Sequence, residues 1–246
     1  MDVAGSVALV TGANRGLGAA FCRVLLEQGA SKVYAGARDP DTIEVAGVIP
    51  VRIDITSPAD VAAAVAQCSD TTLLVNNAGI LTGTSVLAEN ALDGGRREFE
   101  TNVFGTLSMS RAFAPVLGAN SGGAIINVLS VLSWFSVPAG ALYCASKAAA
   151  WSLTNALRLE LLDQHTQVVA LHVGYMDTDM AAGVDAPKAS PDDVAAQALA
   201  GVEAGAFEIL ADDTSRYVRG GLSADLTALY PAVSYTHLTL PTIYSV

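Results

Sequence analysis

The 246-residue chain is 52% hydrophobic and 15% charged, a balance that excludes disordered and fibrous classes and allows a substantial buried core. Its formal net charge of −11 opposes broad attraction to nucleic acid phosphates or to an anionic membrane surface, so neither partner is expected and an anionic ligand needs local cations. Cys22, Cys68 and Cys144 stand far apart without a CxxC pair, and His165, His172 and His237 form no ligand-spaced cluster. Neither a disulfide framework nor a metal site is expected, and the histidines read as structural or surface residues. The chain enters an apolar run almost at once, without a basic leader or an apolar segment long enough to span a bilayer, and a cytoplasmic location is the expectation.

In chain order, "SVALVTG" is a Val-rich apolar run ending in Gly, and "LGAAFCRVLLEQGA" places apolar residues at helical spacing before a Gly stop. Strand, turn and helix follow one another. The apolar runs recur as "KVYAGA", "VIPVRID", "TLLVNNAG", "GAIINVLS", "QVVALHVG" and "FEIL", with helix-like segments between most of them. Continuous runs of this kind are buried parallel strands, and each parallel crossover must cover a face of the sheet. The expected fold is therefore α/β, a doubly wound parallel sheet of about seven strands with helices on both faces. No repeat or linker divides the chain, so residues 1–233 read as one domain. Residues 234–246, "SYTHLTLPTIYSV", shift abruptly to Thr and Tyr and read as an appended tail, non-native or disordered, or else as an edge strand or oligomer arm.

Two stretches carry chemistry. "TGANRGLG", Thr11 to Gly18, lies between a predicted strand and a helix. Gly12, Gly16 and Gly18 permit a tight turn and close packing, and the free N–H groups opening the helix suit a diphosphate. In "LYCASKAAAW", Tyr143 and Lys147 stand four residues apart, on one face of a helix. A free phenol titrates near 10, and a neighbouring cation such as Lys147 would lower it toward the working range of an acid/base.

With "NNAG" at Asn76 to Gly79, Asn102 in "TNVFG", and Ser130 thirteen residues before Tyr143, the chain resembles the short-chain dehydrogenase/reductase family, classical type, from about Ser6 to Pro231. The resemblance implies a Rossmann-type domain and a hydride-transferring oxidoreductase acting on a carbonyl/secondary alcohol pair. It implies that Tyr143 protonates the carbonyl oxygen, Ser130 holds that oxygen, Lys147 contacts the nicotinamide ribose, and Asn102 keeps a water in a proton relay. The implied cofactor site comprises Gly12, Asn14, Arg15, Gly16, Leu17, Gly18, Arg38, Asp54, Ile55, Asn77, Ala78, Gly79, Tyr143, Lys147, Gly174, Met176 and Thr178. It also implies a homodimer or homotetramer.

The chain departs from the family at Val173, where Pro usually precedes Gly174, and at Leu129, where a second Ser is frequent; the first frees φ and restores an N–H beside the nicotinamide. NAD-specific members place an acidic residue after the second strand. Here Ala37 and Arg38 stand there, and Arg15 enters from the glycine turn, so NADP(H) is the expected cofactor. Only twelve residues, "DMAAGVDAPKAS", separate Thr178 from the next helix near Pro191, a short lid. Ser130, Trp134, Tyr143 and Tyr175, with Phe135 and Val137, are expected to form an apolar, partly aromatic pocket suited to hydrophobic or bulky ketones. The rival reading is an NADP-binding regulator of the same fold without turnover; a sugar-nucleotide epimerase would need more chain after Thr178.

Overall fold

Each strand sends successive side chains to opposite faces of its sheet, and the core divides accordingly. The computed structural model describes residues 1–231. Seven parallel strands, β1 (Val7–Thr11), β2 (Lys32–Ala37), β3 (Ile49–Arg52), β4 (Leu73–Asn76), β5 (Gly123–Val128), β6 (Thr166–His172) and β7 (Glu208–Leu210), form one sheet in the order 3-2-1-4-5-6-7. Seven α-helices accompany them among the described residues: α1 (Gly16–Glu27), α2 (Pro58–Gln67), α3 (Ala91–Phe99), α4 (Thr106–Ala119), α5 (Ala141–Glu160), α6 (Pro191–Glu203) and α7 (Asp213–Gly221). Ala8, Val10, Leu73, Val75, Ile126 and Leu171 share a core with Phe21 and Leu25 of α1 and Leu199 of α6. Their strand neighbours Leu9, Leu74, Ile125 and Val168 face Val61 of α2, Phe113 of α4 and Leu157 of α5. The sheet is thus covered on both sides, the arrangement expected from the alternating runs. The expected domain end at 233 and the tail 234–246 lie outside the described residues.

Chain order reverses between β1 and β4, which opens a crevice at their carboxyl ends. The glycine turn leaves β1 there and "NNAG" ends β4 there, so the fold brings the two motifs together. Helix ends differ in a way that matters for the site. Ser57, Ser190 and Asp212 cap α2, α6 and α7 by accepting from Asp60, Asp193 and Ser215 backbone N–H groups, whereas α1, like α3, α4 and α5, has no side-chain cap. A π-helical stretch, Glu100–Gly105, joins α3 to α4 and carries Asn102; such bulges re-aim side chains and recur at functional sites.

Candidate active site

In the glycine turn, Gly12 and Gly16 adopt φ of +64° and +53°, the left-handed region where a Cβ is strained. Gly18 is required by closeness, since a Cβ there would lie 2.1 Å from the Gly12 carbonyl oxygen. Asn77 knits the turn to β4. Its Nδ2 donates to the Thr11 and Gly12 carbonyls at 2.9 and 3.1 Å, and Thr11 Oγ1 accepts from the Asn77 and Ala78 N–H groups at 3.0 and 3.1 Å. The amide of Asn77 therefore shapes the turn. With α1 uncapped at Arg15, its first N–H groups, Leu17 included, are left for an anion, the donor set that a dinucleotide diphosphate needs. Asn14, Arg15 and Gly16 line a groove of about 710 Å³ together with Arg23, Glu44 and Val45; none of the catalytic candidates borders it.

Beside this turn, Ala37 pairs with Arg52 across β2 and β3, and Arg52 Nη1 donates to the Arg38 carbonyl at 3.2 Å. Arg52 is a cation that the linear sequence does not place here, because only strand register sets it next to Ala37. Both guanidiniums act on Asp54, whose carboxyl is held below its usual range first by the Thr56 hydroxyl and N–H and then by Arg38 and Arg52. Ile55 is buried against the core. Arg15 reaches the other way, its Nη1 3.2 Å from Asp179 Oδ2 with both side chains exposed. Thr178 abuts the turn as well, for a Cβ on Gly16 would be 3.2 Å from its Cγ2.

On α5, Tyr143 and Lys147 project from one face, as their spacing predicts. Tyr143 is half-buried, and burial pushes its phenol above the ordinary range while the Ser130 side chain pulls it down. The downward pull expected from Lys147 comes instead from Ser130, while the Lys147 ammonium donates to the Val128 carbonyl at 2.8 Å and lies 5.6 Å from the Tyr143 ring centroid. Lys147 is buried without a carboxylate partner, and burial lowers it to about 8. Ser130 Oγ accepts from the Leu132 N–H at 3.1 Å and stands 3.5 Å from the Val173 carbonyl oxygen. Asn102 grips the segment after β4: its Oδ1 accepts from Ile80 N–H at 2.8 Å, and its Nδ2 donates to Ile80 O at 2.9 Å and Ser146 Oγ at 3.0 Å. A Cβ on Gly79 would lie 3.1 Å from Asn102 Oδ1 and 3.7 Å from Lys147 Nζ. One turn before Asn102, fully buried Glu98 accepts from the Thr82 N–H and hydroxyl at 2.6 and 2.8 Å.

Trp134, named for the substrate pocket, is half-buried. Its ring stacks on His172 at 3.7 Å and meets Trp151 edge-on at 6.3 Å, with the Arg219 guanidinium 5.8 Å away. These partners come from β6, α5 and α7, so Trp134 ties the loop after β5 to all three. Phe135 packs on Tyr230, whose hydroxyl accepts from the Ser136 N–H at 2.8 Å. Tyr175 remains 49% exposed. The Gly174 N–H donates to Asp212 Oδ2 at 2.6 Å, so the loop that lacks proline is anchored by the α7 cap. Met176 bridges to Ala189, and Ala189 N–H donates to the Tyr175 carbonyl at 2.8 Å, closing the base of the short lid. No helix among the described residues is long and apolar enough to cross a membrane.

The family model for short chain dehydrogenases matches residues 6–189. A crystal structure of a short chain dehydrogenase from Burkholderia cenocepacia in complex with NADP is 42% identical, covering 98% of this chain and 100% of that one with a TM-score of 0.89. An NADP-dependent 3-hydroxy acid dehydrogenase of Schizosaccharomyces pombe is 28% identical over 189 residues, 71% of this chain and 73% of its own length. A 2,5-dichloro-2,5-cyclohexadiene-1,4-diol dehydrogenase of Sphingobium indicum is 30% identical over 240 residues, 89% of this chain and 93% of its own length. With its glycine turn at the strand-order switch and Ser130, Tyr143 and Lys147 assembled beside it, the chain belongs to the short chain dehydrogenase family of oxidoreductases.

Proposed function

We propose that the chain is an NADP(H)-dependent oxidoreductase that interconverts a ketone and a secondary alcohol, with hydrophobic or bulky ketones as its substrates. The observation that carries the reading is the gathering of Tyr143, on which the Ser130 hydroxyl acts, with the buried Lys147 ammonium 5.6 Å from the phenol ring. NADPH, when bound, supplies the hydride. Tyr143 gives its proton to the carbonyl oxygen, Ser130 orients that oxygen and steadies the phenolate left behind, and Lys147 holds the ribose side of the site; in the oxidation direction the phenolate takes the alcohol proton back. Burial that keeps the phenol protonated favours the acid role needed for reduction.

NADP(H) is supported by Arg38 and Arg52 beside Ala37, and by the NADP complex of the Burkholderia relative. Apolar substrates are supported by exposed Tyr175, Leu81 and Met180, and by the cyclic diol named for the Sphingobium relative. Exposed Phe104, Leu159 and Leu162 support assembly as a homodimer or homotetramer.

The test is loss of NADPH absorbance with a panel of aryl, cyclic and small polar ketones. Tyr143→Phe should bind NADPH as the wild type does while kcat falls by about 10²–10⁴-fold, the range for a removed general acid. Full activity in Tyr143→Phe would overturn the assignment. Absence of turnover by the wild type on every ketone, with NADPH still bound, would instead make it a nucleotide-binding regulator.

A further inference from the structure

His172 closes β6 with its side chain fully buried, and the dehydrogenase chemistry leaves it without a task. Its Nδ1 lies 3.0 Å from the main-chain carbonyl oxygen of Ser130. A carbonyl oxygen only accepts, so Nδ1 carries the proton, and Nε2 of the neutral ring is bare. That Nε2 has no hydrogen-bond partner and faces Glu208 Oε1 at 3.8 Å. A buried polar atom without a partner costs about 1–3 kcal/mol, so packing alone would favour an apolar side chain here.

One contact of the ring reaches Ser130 itself, and the others brace the ring and the turn that follows Ser130. Trp134, four residues beyond Ser130, lies flat on the imidazole, with 3.7 Å between centroids and 18° between planes. Arg219 of α7 sits 5.8 Å from the Trp134 ring and donates Nε to Glu208 Oε2 at 2.7 Å. Imidazole, indole, guanidinium and carboxylate thus form a closed circuit joining β6, β7, α7 and the turn after β5. The Ser130 peptide is fixed from that side, its carbonyl accepting from His172 and from the Ser133 N–H at 3.0 Å.

We propose that His172 is a positioning residue for Ser130: its Nδ1–H bond and the Trp134 stack hold the Ser130 peptide in the orientation that presents its hydroxyl to Tyr143. The inference rests on the catalytic reading of Ser130 and Tyr143. Burial, opposed by the Ser130 bond and the Glu208 charge and helped by Arg219 and Lys147, lowers His172 to about 4, so near neutral pH the ring keeps a single donor.

Two variants of the full chain separate donor from volume. His172→Leu keeps bulk without an N–H; His172→Asn keeps an N–H near the place of Nδ1. In His172→Leu, kcat on a ketone that the wild type reduces should fall about 10–100-fold, the scale of a small misplacement of a reacting group, while the dissociation constant for NADPH stays within about twofold. His172→Asn should recover most of that loss although it too lacks the ring stack. Both tryptophans of the protein lie in this cluster, so intrinsic emission reports loss of the stack in each variant. A folded His172→Leu enzyme with wild-type kcat, or an equal loss in both variants, would overturn the proposal. Should His172→Leu not fold, the tautomer of His172 in wild-type protein decides by ¹⁵N NMR: Nδ1–H supports the proposal and Nε2–H overturns it. That readout needs no turnover, so it stands even if no ketone is reduced.

Discussion

Ala37 ends β2, and on the proposed NADP(H) reading its methyl stands where an NAD enzyme of the family would carry an acidic side chain. Arg38 follows it and Arg52 pairs with it across the sheet. Charge-assisted hydrogen bonds to a phosphate contribute about 1.5–3 kcal/mol each. Replacing Ala37 by Asp and Arg38 by Leu should therefore lower the ratio of kcat/KM for NADPH over NADH by about 10–100-fold, and Arg52→Gln should lower it further. An unchanged ratio in steady-state assays would refute the placement of the 2′-phosphate. Residues of this kind are legible in sequence only when their partners are close in the chain. Tyr143 and Lys147 are, because four residues make one helical turn; Arg38 is, because it adjoins Ala37. Arg52, Asp212 and Glu98 are not, since their neighbours in the site are set by strand register or by loops that meet only in the fold.

At the scale of elements, the strands announce themselves as continuous apolar runs and the helices as periodic ones, since a parallel sheet covered on both sides has no wet face to interrupt the pattern. The π-helical stretch at Glu100–Gly105 leaves no such mark, for one extra residue per turn does not alter composition. The joint between β1 and α1 leaves no room for a side chain. A Cβ on Gly18 would stand 2.1 Å from the Gly12 carbonyl oxygen and 2.6 Å from Asn77 Nδ2, the same amide that holds the turn closed. Gly18→Ala must push α1 away from the turn. It should destabilise the protein by about 1–3 kcal/mol, as overpacking does, and weaken NADPH binding by more than about 10-fold, since the helix N–H groups lose their aim. Urea unfolding and fluorescence titration measure the two effects separately, and wild-type affinity in this variant would show that the turn is looser than its geometry states.

For the whole molecule, folding ties the protonation of His172 to stability. The ring titrates at about 4 in the fold against 6.5 in an exposed reference. Between those values the unfolded chain binds more protons, so stability is full above pH 6.5 and declines as pH falls toward 4. The displacement corresponds to roughly 3 kcal/mol. Asp54, whose carboxyl is lowered from 3.8 by Thr56, adds its loss only at lower pH. Melting temperature should thus fall between pH 6.5 and 4 in the wild type and fall less in His172→Asn; parallel slopes in the two proteins would contradict the buried neutral ring. Tyr230 gives the molecule a different kind of order, one of time. Its hydroxyl is what the Ser136 N–H donates to, yet it is made long after β1, α1 and β4 have left the ribosome. The glycine turn and the end of β4 therefore emerge well before the loop after Ser130 gains its tie to Tyr230, and that loop is the later of the two to be fastened.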